Sequence, residues 1–218
     1  MPDSAAAWTG GWAAERLLKH HEVKSVEVLS PQTLRITRVR ARPFVAGTLG
    51  SSRVEAREVE ELLSESHDIE FVANIPSESF WTGDAISLAR QRGVGWGALR
   101  DLLSAVSDED PRLHVNRDME FLENGLDQHT GVTKVERVHD RKFVISRHGL
   151  GDVIAVLLEE YTITADHVRK AHARYGSFDA LVHTNPNGGT TDGAIRVAEA
   201  LGASVYTWGQ FLGRLNRR

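Results

Sequence analysis

Val72-Ala73-Asn74-Ile75-Pro76 and Val182-His183-Thr184-Asn185-Pro186 are two versions of one pattern: a short apolar strand, then polar residues, then a proline. Other pairs flank them in the same order. Ser25-Val26-Glu27-Val28-Leu29 matches Lys134-Val135-Glu136-Arg137-Val138, and Leu34-Arg35-Ile36 matches Phe143-Val144-Ile145. Asp84-Ala85-Ile86 with Gly93 matches Gly193-Ala194-Ile195 with Gly202, and Trp96-Gly97 matches Trp208-Gly209. The spacing stays near half the chain, which reads as an internal duplication. Each half predicts the order α-β-β-β-α-β-α-β-α. Runs of Val, Ile, Thr and Phe separated by Ser30-Pro31-Gln32 or Gly149-Leu150-Gly151 read as strands. Ala194, Ile195, Ala198 and Leu201 recur at helical spacing, and Ser52 with Glu55 reads as a capping box. A hairpin followed by strand–helix–strand crossovers builds a mixed sheet with helices on both faces. The expected fold class is therefore α/β, in two tandem pseudo-repeats. The polar stretch Ser107-Asp108-Glu109-Asp110-Pro111 sets the expected domains at 1–106 and 107–218.

Composition narrows the functional classes. Of 218 residues, 41% are apolar and 26% charged, which suits a folded chain and argues against disorder. There is no cysteine, so disulfides, thiolate metal sites and cysteine nucleophiles are excluded. No apolar run reaches membrane-spanning length, and Met1-Pro2-Asp3-Ser4-Ala5 has no basic leader region. The expectation is a cytoplasmic protein with no membrane partner. With a net charge of −4, nucleic-acid binding requires a local basic patch.

The C-terminal stretch carries a family likeness. Ala180-Leu181-Val182-His183-Thr184, a Gly-rich turn, Thr191-x-x-Ala194-x-x-x-Ala198, Gly202, a short strand and an apolar helix resemble the C-terminal half of Mrr-type restriction enzymes. Those belong to the restriction-endonuclease-like, or PD-(D/E)xK, superfamily. The resemblance covers the second half well and the first in outline. It implies a protein acting on DNA or RNA with Mg²⁺ as its metal. It also implies an Asp near the start of the second strand and an acidic-x-Lys triplet on the third. This chain departs from that triplet: Leu158-Glu159-Glu160-Tyr161-Thr162 has no Lys two residues after either Glu. The first half has no acid on its hairpin strands and is expected to be non-catalytic.

A turn at Leu150-Gly151 sets Lys142 opposite Glu159 and Asp140 opposite Tyr161. Paired residues share a face. On that register Asp140, Lys142 and Glu159 form the expected catalytic face. Asp140, Glu159 and Glu120 (or Glu123) would be the metal carboxylates. The plain structural counterpart is a solvated Lys–Glu pair worth under about 1 kcal/mol.

Two other features point to anions. Arg38, Arg40 and Arg42 alternate along one strand, so their side chains share a face that suits a phosphate backbone. Asn187, Gly188, Gly189, Thr190 and Thr191 join a strand end to a helix start, where free N–H groups suit an anion. Asn, Pro and Gly also make such turns for backbone reasons alone. Three readings result. They are a nucleic-acid-acting protein with a metal site confined to the second half, a non-catalytic nuclease-fold module with a protein partner, and a Rossmann-like nucleotide sensor.

Overall fold

A computed structural model of the protein describes residues 6–217; Met1–Ala5 and Arg218 lie outside the described residues. The chain forms two compact units, 1–116 and 117–218. The boundary falls past the polar junction at 107 because Pro111–Leu113, a single 3₁₀ turn, packs on strands of the first unit.

The first unit runs α1 (Ala6–Leu17), β1 (Val23–Ser30), β2 (Thr33–Arg38), β3 (Phe44–Leu49), β4 (Arg53–Val54), α2 (Ala56–Glu65), β5 (Ile69–Asn74), β6 (Phe80–Trp81), α3 (Gly83–Gln91), β7 (Gly95–Ala98) and α4 (Leu99–Ala105). The second repeats it as α5 (Arg117–Asp127), β8 (Val132–Arg137), β9 (Lys142–Arg147), β10 (Leu150–Leu158), β11 (Thr162–Ile163), α6 (Ala165–Tyr175), β12 (Ala180–His183), β13 (Gly189–Thr190), α7 (Asp192–Ala200), β14 (Ser204–Thr207) and α8 (Trp208–Leu215). The expected order is present in both halves, with one addition. Two-residue strands β4 and β6 pair beside the first sheet, and β11 and β13 beside the second.

The main sheets have the orders β1-β2-β3-β5-β7 and β14-β12-β10-β9-β8, the same arrangement written from opposite edges. Their registers coincide. Ile36 faces Phe44 and Ile145 faces Val153; Ala46 faces Phe71 and Ala155 faces Ala180; Phe71 faces Gly95 and Ala180 faces Ser204. Each pair maps onto its partner by one offset, 145 − 36 = 109. That offset corrects two sequence matches: Asn74 corresponds to His183, not Thr184, and Trp96 corresponds to Val205, not Trp208.

Strand alternation gives each sheet two apolar faces. In the first unit Phe44, Ala46, Leu34 and Ile36 pack with Ala13, Leu17 and Leu102 of α1 and α4. Val45, Leu49 and Val72 pack with Val59, Leu62 and Ile86 of α2 and α3. Gly47 lets α2 approach, since a Cβ there would lie 2.6 Å from Leu62 Cδ2. In the second unit Phe143, Ile145, Ala155 and Leu157 meet Leu122, Leu126 and Phe211 of α5 and α8.

Several polar contacts hold both units alike. Thr82 and Thr191 cap α3 and α7, accepting from Ala85 N and Ala194 N. Their hydroxyls donate to the carbonyls of Val54 and Ile163. Asn74 bonds the backbone of Ser51 through both amide atoms, and His183 donates from Nε2 to Glu160 O at 2.6 Å. The capping box of α2 starts at Glu55, not Ser52: Glu58 accepts from Glu55 N at 2.9 Å. No helix among the described residues is long and apolar enough to cross a membrane.

Candidate functional site

The start of β9 and the end of β10 hold the residues expected to be catalytic, and the observed register rearranges them. The turn is His148-Gly149, with Gly149 at φ +65, the left-handed region that glycine tolerates. Leu150 already pairs with Arg147. Lys142 consequently faces Val156, not Glu159. Arg141 O accepts from Leu157 N at 2.9 Å, so Arg141 is the residue beside the end of β10.

The consequence is a new set of partners for these residues. Lys142 turns toward α6, where Nζ donates to Tyr175 O at 2.6 Å. Asp140 turns the same way and accepts from the Tyr175 hydroxyl at 3.1 Å. Arg141 turns toward α5, its guanidinium 3.8 Å from Met119 Sδ and 3.9 Å from Glu159 Oε2. Glu159 is thus drawn to Arg141, whereas Asp140 and Lys142 are bonded to Tyr175. Glu120 is exposed on α5, whose buried residues are Met119, Leu122 and Leu126, while Glu123 pairs with Arg137 at 2.9 Å.

Burial pushes the Asp140 carboxyl above the ordinary carboxylate range, against the opposing pull of Arg141 and Arg137. Burial also lowers Lys142 and raises the Tyr175 phenol. The His139 ring stacks on Tyr175 with centroids 5.9 Å apart. A Mg²⁺ site needs ionised carboxylates converging on one point. Asp140, Glu159 and Glu120 do not fit that requirement. No group of three His, Asp or Glu suited to a metal occurs among the described residues.

The arginine strand is corrected as well. β2 ends at Arg38, and Arg40 and Arg42 lie in the loop before β3. Arg38 is 4% exposed, because its guanidinium reaches the end of α4 and donates to the carbonyls of Arg42, Val106, Asp108 and Glu109. Arg147, 9% exposed, is its counterpart and donates to Gly151 O and Arg217 O, both at 2.8 Å. Desolvation lowers the pKa of both, yet an arginine stays charged there. Arg38 closes a helix end and is not available to a nucleic-acid backbone. Arg40 is exposed. Arg42 is half-exposed and forks onto Glu70 at 2.8 and 2.5 Å.

The Asn187–Thr191 loop uses its own donors. Asn187 N bonds Asn185 Oδ1, Gly188 N bonds Asn185 O, Gly189 N bonds Tyr161 O, and Thr191 N bonds Ile163 O. Gly188 sits where a Cβ would lie 2.4 Å from Tyr161 O, so its glycine serves packing. With Thr190 in the short strand β13, these residues form a strand–helix joint and not an anion cradle.

Sequence reasoning missed Arg35, Arg92 and Arg112. With Arg42 they line a groove of about 650 Å³ in the first unit. They are spread over 77 positions of chain (112 − 35), so no local motif marks them. Comparison with protein-family models, curated proteins and solved structures gives no match.

Proposed function

We propose that this protein is a non-cleaving relative of the restriction-endonuclease-like architecture and works as an interaction module. The observation that carries this reading is the β9–β10 register, which pairs Lys142 with Val156 instead of Glu159 and leaves Asp140 and Lys142 bonded to Tyr175. Metal-assisted phosphodiester hydrolysis needs carboxylates around one metal and a base or orienting group beside the attacking water. Here Lys142 serves a carbonyl and Asp140 a phenol. The first unit supports the same reading. It has Gln32, Thr33 and Gly50 at the positions of Arg141, Lys142 and Glu159, with no acid among them.

The test is incubation of the full chain with plasmid DNA and single-stranded DNA and RNA, with Mg²⁺, Mn²⁺ or EDTA. The expected result is no metal-dependent cleavage. Cleavage that disappears in Glu159→Ala overturns the reading and restores the expected site.

A further inference from the structure

We propose that the groove lined by Arg35, Arg42, Arg92 and Arg112 in the first unit binds a phosphate-bearing ligand. It goes beyond the interaction-module reading, because it lies where β3, β5 and β7 begin, whereas the expected site corresponds to the end of β3.

The groove is built with its guanidiniums uppermost. The four arginine side chains are about half exposed, between 48% and 51%, whereas Glu70 is 18% and Asp110 24% exposed. Glu70 holds Arg42 through two bonds. Asp110 holds Arg112 through Nε at 3.0 Å and a terminal nitrogen at 2.7 Å, and lies 3.5 Å from Arg42. Arg112 and Arg42 keep the Asp110 carboxyl ionised, the Arg112 bond bringing it down to about 2. Arg35 pairs with Glu27 and Arg92 with Glu60, on carboxylates outside the groove lining. A guanidinium carries five N–H donors, so a carboxylate fork on one edge leaves donors on the others. Heads held this way lose less freedom on binding. A phosphate accepts from several forks at once, which a carboxylate with two oxygens does less well.

The second unit is an internal control. At the shared offset it carries Val144, Gly151 and Leu201 where the first has Arg35, Arg42 and Arg92. The same sheet and helices form with those residues, so the architecture does not need the arginines. The 3₁₀ turn that supplies Arg112 belongs to the first unit. Working against an anion are Asp68 and Glu70 in the lining and the C-terminal ends of α2 and α3 beside it. The four arginines concentrate positive charge where the fold itself supplies negative.

The phosphate could come from a free polyphosphate or nucleotide, or from a nucleic-acid backbone. The experiment titrates the full chain, in EDTA, with inorganic pyrophosphate, a fluorescent twelve-nucleotide single strand, and poly-glutamate of matched charge. The parent is expected to bind a phosphate probe in preference to poly-glutamate. The double variant R35V/R92L installs the second unit's own residues. It should weaken binding at least tenfold while thermal unfolding stays put, and Arg112→Ala should do the same independently. Removing each arginine should also flatten the salt dependence for the strand by about one. Pyrophosphate binding alone assigns a free polyphosphate; strand binding alone assigns a backbone. No binding by either phosphate probe, equal binding of poly-glutamate, or undiminished affinity in the variants overturns the proposal. Cleavage in the separate nuclease assay would overturn the interaction-module reading and leave this one standing.

Discussion

Arg38 and Arg147 occupy the same place in the two halves and do the same thing, whereas Arg42 has Gly151 as its counterpart. The first pair lies in the interior, and the second position lies at the surface. Across the chain, the shared polar contacts are those that satisfy buried backbone: the arginine clamps, the Thr82 and Thr191 caps, and the Asn74 and His183 bonds to the segment after β3 or β10. What differs is the polar chemistry added to that frame. The first unit has its arginine groove, where the second has Val144 and Leu201. The second has Asp140, Lys142 and Tyr175, where the first has Pro31, Thr33 and Ser66. Two copies of one architecture thus separate what the fold requires from what each copy does on its own.

The largest effect that could break this comparison is a core truncation made in both halves. Phe143→Ala is expected to destabilise by about 3–5 kcal/mol and its counterpart Leu34→Ala by about 2–5 kcal/mol. Both side chains are fully buried. Urea unfolding followed by tryptophan fluorescence should show two transitions, each moved by its own substitution. A single transition moved by both would show that the halves unfold as one body.

A smaller effect sharpens the comparison at the clamps. Arg38→Met abandons four carbonyls and should cost about 3 kcal/mol; Arg147→Met abandons, among the described residues, those of Gly151 and Arg217 and should cost about 1–2 kcal/mol. Equal costs, measured by the same unfolding curves, would mean that the extra bonds of Arg38 contribute nothing.

The smallest effect belongs to the second half alone. Burial raises the Asp140 pKa above its unfolded value, so the folded state binds the proton more tightly. Its contribution to stability is complete below the unfolded pKa of about 4 and is lost as pH rises through the folded pKa. Asp140→Asn keeps an acceptor for the Tyr175 hydroxyl and removes the titration. The variant should match the parent in acid and exceed it at neutral pH. A variant less stable than the parent at pH 7 would contradict the assignment.

Much of this was readable from residues. The duplication, the element order and the helix stop at Gly202 follow from apolar period and from glycine. The expected site failed on one turn. Leu150-Gly151 looks like the turn, yet Gly149 takes the positive φ, and the pairing shifts so that Lys142 meets Val156. A register change moves side chains between faces, and no local sequence signal fixes it when several glycines crowd one hairpin. Arg38 was misread for a different reason. Alternation along β2 gives its face but not what covers that face, and the covering carbonyls lie 70 residues away. The groove was invisible because tertiary contact alone assembles its arginines.

Arg38 and Arg147 also bear on how the chain acquires its structure during synthesis. Each joins its hairpin to a carbonyl 70 positions later, just past the last helix of its own half. A contact closing so long a loop forms late, after the sheet between its ends is in place. The first half therefore has every acceptor of its clamp once residue 109 has left the ribosome and its whole unit by residue 116, and can complete itself while the second is still being made. The second closes in the same way only after α8 and Arg217 behind it have been made, 70 positions after Arg147.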